Sequence, residues 1–225
     1  MSRPRIVGLV PMRHQSERVP GKNYRDFNGK PLYHWVVETL LNSGLVDEIL
    51  IDTDSPHIIE DAAQFERVTT IARPEHLLGG DTPMNDVLLH DVSQIEADWY
   101  LQTHSTNPLL RATTVAAAID ALLGSLDAHD SLFSVTALQT RLYWPDGSAI
   151  NHDPAVLLRT QDLPPVLEEN SCLYLFTRET LEQRGNRIGE RPLLFEIEAE
   201  EATDIDVELD FRVAEALGTI RESIS

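Results

Sequence analysis

Short apolar runs alternate with stretches of helical period along much of the chain, and that alternation leaves few folds open. Residues 4–11 read as a first strand that breaks at Pro11 into a polar loop. Apolar spacing over residues 32–41 is helical, with Pro31 at a first helical position and Asn42, Ser43 and Gly44 as the stop. Residues 47–54 form a second strand ending in acids, Ser55 or Asp54 caps a helix reaching Phe65, and the β-branched run 68–72 is a third strand. Strands at 98–104 and 131–137, with a helix over 112–123 between them, continue the pattern. Such an order predicts an α/β fold of three layers: a doubly wound, mostly parallel sheet with helices on both faces. Residues 139–170 depart from it. Pro145, Asp146-Gly147, Asp153-Pro154 and Pro164-Pro165 make this stretch hairpin and extended loop rather than helix.

A length of 225 residues fits one domain with a core of its own. The formal net charge of -19 argues against a nucleic-acid partner, because a phosphate backbone is bound chiefly through lysine and arginine. It leaves room for one local cationic pocket. The single cysteine, Cys172, excludes an internal disulfide and a cysteine-based zinc site. Its apolar neighbours, Leu173 to Phe176, mark it as a small buried hydrophobe. No apolar leader or membrane-length run is present, so no membrane partner is expected and the cytoplasm is the expected compartment.

Two stretches carry chemistry. The loop after the first strand holds Arg13, Ser16, Arg18 and Lys22, shaped by Pro20 and Gly21. Guanidinium forks, a lysine point charge, a hydroxyl and free backbone N–H groups at the carboxyl end of a first parallel strand suit a polyphosphate. The bland alternative is a solvated basic loop. Near the other end, acidic and apolar residues alternate over 202–210, placing Asp204 and Asp206 on one face and turning Ile205 inward. Two carboxylates so close repel unless a cation or donors sit between them, and Mg²⁺ favours one or two carboxylates together with phosphate oxygens and water. The alternative role for Asp206 is to cap a helix over 208–217.

The first loop resembles the signature of the acylneuraminate cytidylyltransferases, roughly A-R-x-x-S-K-x-x-P-x-K-N, and the S-x-R-L-P-G-K version of the related Kdo cytidylyltransferases. Residues 73–82 resemble the family's R-P-x-x-L-x-x-D-[ST] segment, residues 101–111 its L-Q-x-T-S-P-L-R turn, and residues 204–210 its D-I-D-[TV]-E-x-D motif. Residues 159–165 and 169–174 resemble its R-[RQ]-[DQ]-L-P and E-N-G-A-I-Y elements. The resemblance covers nearly the whole chain. It implies a Rossmann-like nucleotide-diphospho-sugar transferase fold in one domain, 1–225, with 139–170 as a dimerisation arm. It implies transfer of CMP from CTP to a 2-keto-3-deoxy sugar acid, with pyrophosphate released and Mg²⁺ on Asp204 and Asp206. Arg13, Lys22 and Asp206 are then catalytic. Ser16, Arg18, Asn23, Arg73, Asp81, Thr82 and His104 join Arg13 and Lys22 around the nucleotide, while Gln161 and Asn170 face the acceptor. Asp81 or Thr82 can equally be a helix N-cap.

Departures fall in the loop's second cation, at one position that reads the nucleotide, and in the acceptor half. Glu17 stands where sialate-type relatives have lysine, His104 where a glutamine is usual, Thr160 in place of an arginine and Ser171-Cys172 in place of Gly-Ala. The usual arm lysine is also missing, with Arg141 to Trp144 in its segment. Three other readings remain: CMP transfer to a different acid such as a phosphonate, a glycosyltransferase that uses a nucleotide sugar and binds metal through Asp52-Thr53-Asp54, and a CTP-binding regulator without turnover.

Overall fold

The wholly buried strand β1 (Ile6–Leu9) divides its side chains between two cores, as a period of two requires. The computed structural model describes residues 3–224. Val7 and Leu9 pack with Leu88, Val92, Tyr100 and Tyr174, whereas Ile6 and Val10 face Tyr33, Leu40 and Ile119 on the opposite side. Gly8 belongs to the second side. A Cβ there would lie 3.0 Å from Leu40 Cδ1 and 3.3 Å from Ile49 Cγ1, so the bare glycine lets helix α1 (Leu32–Asn42) approach the sheet.

A small antiparallel hairpin, β2 (Asp26–Phe27) and β3 (Lys30–Pro31), precedes α1. In the main sheet β4 (Glu48–Thr53) and β6 (Trp99–Gln102) flank β1 in parallel, with β5 (Val68–Ala72) beyond β4. On the far side lie β8 (Val166–Phe176), antiparallel to β6 and to β7 (Ser131–Leu138), and then β9 (Pro192–Glu196), parallel to β7. The order is β5-β4-β1-β6-β8-β7-β9. Helices α1, α2 (Pro56–Ala62) and α4 (Ala112–Leu123) cover one face, and α3 (Met84–Gln94) and α5 (Arg178–Arg184) the other. The last helix, α6 (Glu208–Ile224), contributes Phe211 and Ala214 to a third cluster with Val19, Phe27, Leu32, Leu109 and Ile205.

Chain order reverses at β1: the chain runs outward through β4 and β5, then returns to place β6 on β1's other side. A crevice at the carboxyl ends of the strands is expected at such a point. Pro11 helps to open it. Val10 and Met12 still donate to the carbonyls of Leu50 and Asp52 at 2.9 Å, but pairing toward β6 ends with Thr103 N–H donating to Leu9. Pro11 has no N–H to extend the ladder.

The expected elements are present with several changed boundaries. The first strand ends at Leu9 rather than 11, and α2 stops at Ala62 rather than Phe65. Ser55 is its cap, accepting from Ile58 N–H at 3.3 Å. Residues 202–207 form no strand, although Ile205 is buried between exposed Asp204 and Asp206 as the alternation requires. The helix that follows runs past 217 to Ile224. The C-terminal part of the 139–170 stretch, from Val166, is already strand β8 paired to β7, so the irregular connection is 139–165. Asn151 holds it together, donating to the carbonyls of Thr140 at 2.7 Å and Pro164 at 3.0 Å.

Arg73 enters the core instead of the crevice. Its Nε donates to Asp52 Oδ1 at 3.0 Å and its Nη2 to the Asp52 carbonyl at 3.2 Å, both residues being buried. Burial and the neighbouring Asp52 push the Asp91 carboxyl up to about 9, so one guanidinium faces one carboxylate rather than two. Removing one partner of a buried ion pair leaves the other charge uncompensated. Arg73→Leu should therefore lower unfolding stability by about 3–5 kcal/mol in denaturant melts. The CTP affinity of the folded fraction should stay within about twofold, and a much larger affinity loss at unchanged stability would put Arg73 back at the nucleotide.

Candidate active site

Three loops build a cleft of about 320 Å³ at the reversal point. The loop after β1 supplies Arg13, Ser16, Glu17, Arg18, Lys22 and Asn23; the loop before α3 supplies Gly80 and Asp81; the loop after β6 supplies His104, Ser105 and Thr106. Gly21, at φ 66°, turns the first loop into a single 3-10 turn over Lys22–Tyr24, a backbone conformation that L side chains avoid. Asn23 then braces the walls, donating to the Arg13 carbonyl and accepting from Ser105 Oγ, both at 2.8 Å.

The Asp204–Asp206 segment is tied to the cleft at three points. Lys22 Nζ donates to the Ile205 carbonyl at 2.5 Å, Ile205 N–H donates to the Thr106 carbonyl at 3.0 Å, and Arg18 pairs with Asp206 at 2.6 Å. Asp206 is no helix cap: its own N–H and that of Val207 donate to Asp210 Oδ2 at 3.0 and 2.8 Å, so Asp210, in the first turn, does the capping. The Asp206 carboxylate is thereby left facing Arg18. Desolvation raises the Asp204 carboxyl, with Asp206 adding to the rise and the Thr106 hydroxyl and Lys22 opposing it. Burial also lowers Lys22, against the pull of Asp204 and Asp206.

This donor set fits a hard divalent cation. The oxygens are carboxylates, they repel one another, and a cation would relieve the strain that raises Asp204. Among the described residues no group of three or more His, Cys, Asp or Glu side chains is placed to hold a metal. A cation shared with a phosphate chain needs only one or two carboxylates from the protein.

Other expected site residues fall elsewhere. Asp81 lines the cleft, whereas Thr82 does not, and neither caps α3, whose N-cap is Pro83 without a side-chain bond. Gln161 is exposed in the short 3-10 turn Thr160–Asp162, outside the cleft. Asn170 bridges β8 to β7, accepting from Ser134 Oγ at 2.5 Å and donating to Thr136 Oγ1 at 2.8 Å beside a register shift. The Asp52-Thr53-Asp54 alternative loses its metal motif: Asp52 is in the core with Arg73, and Asp54 accepts from His14 N–H at 2.6 Å. Cys172 is buried and its thiol is pushed up by desolvation, as an inert core residue should be.

His104 lines the cleft as a neutral base. Burial, then the charges of Arg187 and Lys22, pull it down to about 4. Its Nε2 lies 3.2 Å from Gln102 Nε2, while Gln102 Oε1 accepts from Arg187 at 2.6 Å. The amide thus donates to His104 Nε2, which assigns the ring proton to Nδ1. Gln102 and Asp210 stand inside the L-Q-x-T-S-P-L-R and D-I-D-[TV]-E-x-D resemblances, which carry no role for them, and no sequence signal marks Arg187.

A phosphate-suited cation loop beside paired carboxylates, at the switch point of a doubly wound sheet, defines a nucleotide-handling protein. Residues 7–217 match the sequence profile of the cytidylyltransferases, and the chain belongs to that family. It is 26% identical to N-acylneuraminate cytidylyltransferase A of Danio rerio over 93% of this chain, but spans only 50% of that protein. It is 27% identical to CMP-N,N'-diacetyllegionaminic acid synthase of Legionella pneumophila, over 95% of this chain and 96% of the relative. The fold is similar to that of CMP:2-keto-3-deoxy-manno-octonic acid synthetase, with a TM-score of 0.71 at 19% identity, covering 96% of this chain and 99% of that one.

Because His104 is lowered from its ordinary 6.5 to about 4, the unfolded chain binds a proton between those values that the folded chain refuses. Stability should fall as pH drops through that window. His104→Gln should flatten the loss between pH 6.5 and 4 in denaturant melts, and an unchanged slope would contradict the neutral assignment.

Proposed function

We propose that the protein is a Mg²⁺-dependent cytidylyltransferase that transfers CMP from CTP to a hydroxyl of a 2-keto-3-deoxy sugar acid and releases pyrophosphate. The observation carrying this reading is the gathering of Arg13, Arg18 and Lys22 in one cleft, to which the Asp204–Asp206 segment from the far end of the chain is tied through Arg18 and the Ile205 carbonyl. The names of the relatives, each a cytidylyltransferase or CMP-acid synthase, support the nucleotide and the class of acceptor.

In this mechanism the acceptor hydroxyl attacks the α-phosphorus in line. Arg13 and Lys22 grip the triphosphate and stabilise the charge that gathers on the leaving pyrophosphate, so catalysis is mainly positioning and electrostatics. Ser16 and loop N–H groups complete the cradle, and Asn23 keeps its walls in register. Asp204 and Asp206 would hold Mg²⁺, which when bound neutralises phosphate charge and lowers the pKa of a coordinated hydroxyl. Neutral His104 presents Nδ1–H as a donor, and Asp81 faces the same cleft.

We read residues 1–225 as one catalytic domain acting in the cytoplasm. Separately, no helix of the described residues is long and apolar enough to cross a membrane. The arm is its dimer contact: Trp144 is 59% exposed and Leu157 90%, with Tyr143, Val156 and Leu158 also open. Large apolar side chains gathered on one projecting segment suit a second copy of the chain.

Wild-type protein should release pyrophosphate from CTP with a 2-keto-3-deoxy acid in the presence of Mg²⁺, and at least about tenfold less from ATP, GTP or UTP. Arg13→Ala should lower turnover ~100-fold or more, the usual worth of one donor to a developing oxyanion. Its melting temperature should hold, since among the described residues Arg13 makes no ion pair. Retention of more than about a third of the rate would remove Arg13 from the mechanism.

A further inference from the structure

Most arginines of this acidic chain face a carboxylate, as Arg18 does Asp206, Arg73 does Asp52 and Arg111 does Glu201. Of the others, Arg67, Arg141 and Arg191 donate to main-chain carbonyls. Among the described residues, Arg13 in the phosphate loop and Arg187 outside it do neither. The side-chain contacts recorded for Arg187 are neutral: its Nη1 donates to Gln102 Oε1 at 2.6 Å, and its guanidinium carbon lies 3.5 Å over the Tyr174 ring. Desolvation lowers Arg187 against the opposing pull of Tyr174 and of the Glu169 carboxylate beyond it, so its surroundings do not fully compensate the charge. A half-buried guanidinium oriented by neutral groups, with Glu169 acting on it but making no ion pair with it, is costly for the fold alone and suited to an anion that arrives from outside.

We infer that Arg187 anchors the carboxylate of the acceptor acid. The inference rests on the cytidylyltransferase reading and names the group that reads the acceptor. Position separates Arg187 from the nucleotide cations, which all come from the loop after β1. It lies instead against Gln102 on β6 and Tyr174 on β8, and β8 is two strand spacings, roughly 10 Å, from β1. Gln102, wholly buried, connects it to His104 on the cleft wall, so an acid bound there meets the guanidinium fork beside His104. The arm offers no substitute. Arg141 is turned to the Leu158 carbonyl and Arg159 pairs with Asp162, both within the arm itself. Gln102 and the Tyr174 face hold the planar group in place, which a carboxylate needs for two parallel N–H···O bonds. Tyr174 is itself fixed by its hydroxyl, which donates to the Glu169 carboxylate and accepts from the Ser171 hydroxyl.

The test uses the full chain with N-acetylneuraminate and 3-deoxy-manno-octulosonate as probes, each also as its methyl ester. In Arg187→Met, which keeps an apolar stem over Tyr174, the KM of the productive acid should rise about 10- to 100-fold while kcat changes by only a few-fold. The Kd for CTP with Mg²⁺ should stay within twofold and the melting temperature should hold. Arg187→Lys should recover part of the loss, as a point charge without the fork. An unchanged KM, or an equal loss of CTP affinity, would overturn the assignment. If wild-type protein releases no pyrophosphate with either acid, cytidylyl transfer to these acids fails on its own. Saturation-transfer NMR on the same acids then decides about Arg187. A signal from the acid that is absent for its ester and lost in Arg187→Met sustains the anchor, and equal signals in both proteins, or none from the wild type, overturn it.

Discussion

Ile205 is wholly buried among Val19, Phe27, Leu32, Leu109 and Phe211, and its main chain is held on both sides. Its N–H reaches the Thr106 carbonyl and its carbonyl receives Lys22 Nζ. Those two contacts join three segments far apart in the chain: the loop after β1, the loop after β6 and the turn before α6. The apolar side chain supplies the stabilisation, as full burial of an isoleucine is worth about 1.5–3 kcal/mol, and the polar main chain supplies the register. Asp204 and Asp206 are placed by this arrangement rather than by any strand. Each stands one residue away from a fixed point, and both face outward because the residue between them faces inward.

Charge is distributed with the same economy. A chain carrying -19 overall gathers Arg13, Arg18 and Lys22 along one loop, and the carboxylates that answer them come from the far end of the sequence. The balance is incomplete by design of the geometry. Asp204 is raised by desolvation and by Asp206, while Lys22 is lowered by burial, so each group sits in an environment less favourable to its charge than water. A phosphate chain with a divalent cation would relieve both at once, giving Lys22 an anion and the two aspartates a positive partner.

Local pattern made the α/β class and the phosphate loop legible, because hydrophobic period and loop composition are properties of neighbouring residues. Roles that depend on distant partners were not. Arg73 carries the same chemistry as Arg13, and only the burial of Asp52 and Asp91 beside it shows that it belongs to the core. Asn170 looks like a polar residue available for a ligand until Ser134 and Thr136, more than thirty residues earlier, take its amide. Asp206 and Asp210 are chemically equivalent as helix caps, and geometry gives the cap to Asp210. Gln102 and Arg187 lie 85 positions apart, so no spacing in the sequence could announce their bond.

The account's central claim is that the cation loop and the two aspartates form one site for a nucleotide and its metal. The most direct measurement is calorimetric titration of CTP in Mg²⁺ and in EDTA, on wild-type protein and on the Asp204→Asn, Asp206→Asn double variant. Binding by the wild type should be at least about tenfold tighter with Mg²⁺, and the double variant should keep its EDTA affinity, or gain some, while losing the metal-dependent increment. An equal Mg²⁺ increment in both proteins would separate the aspartates from the nucleotide site and contradict the account.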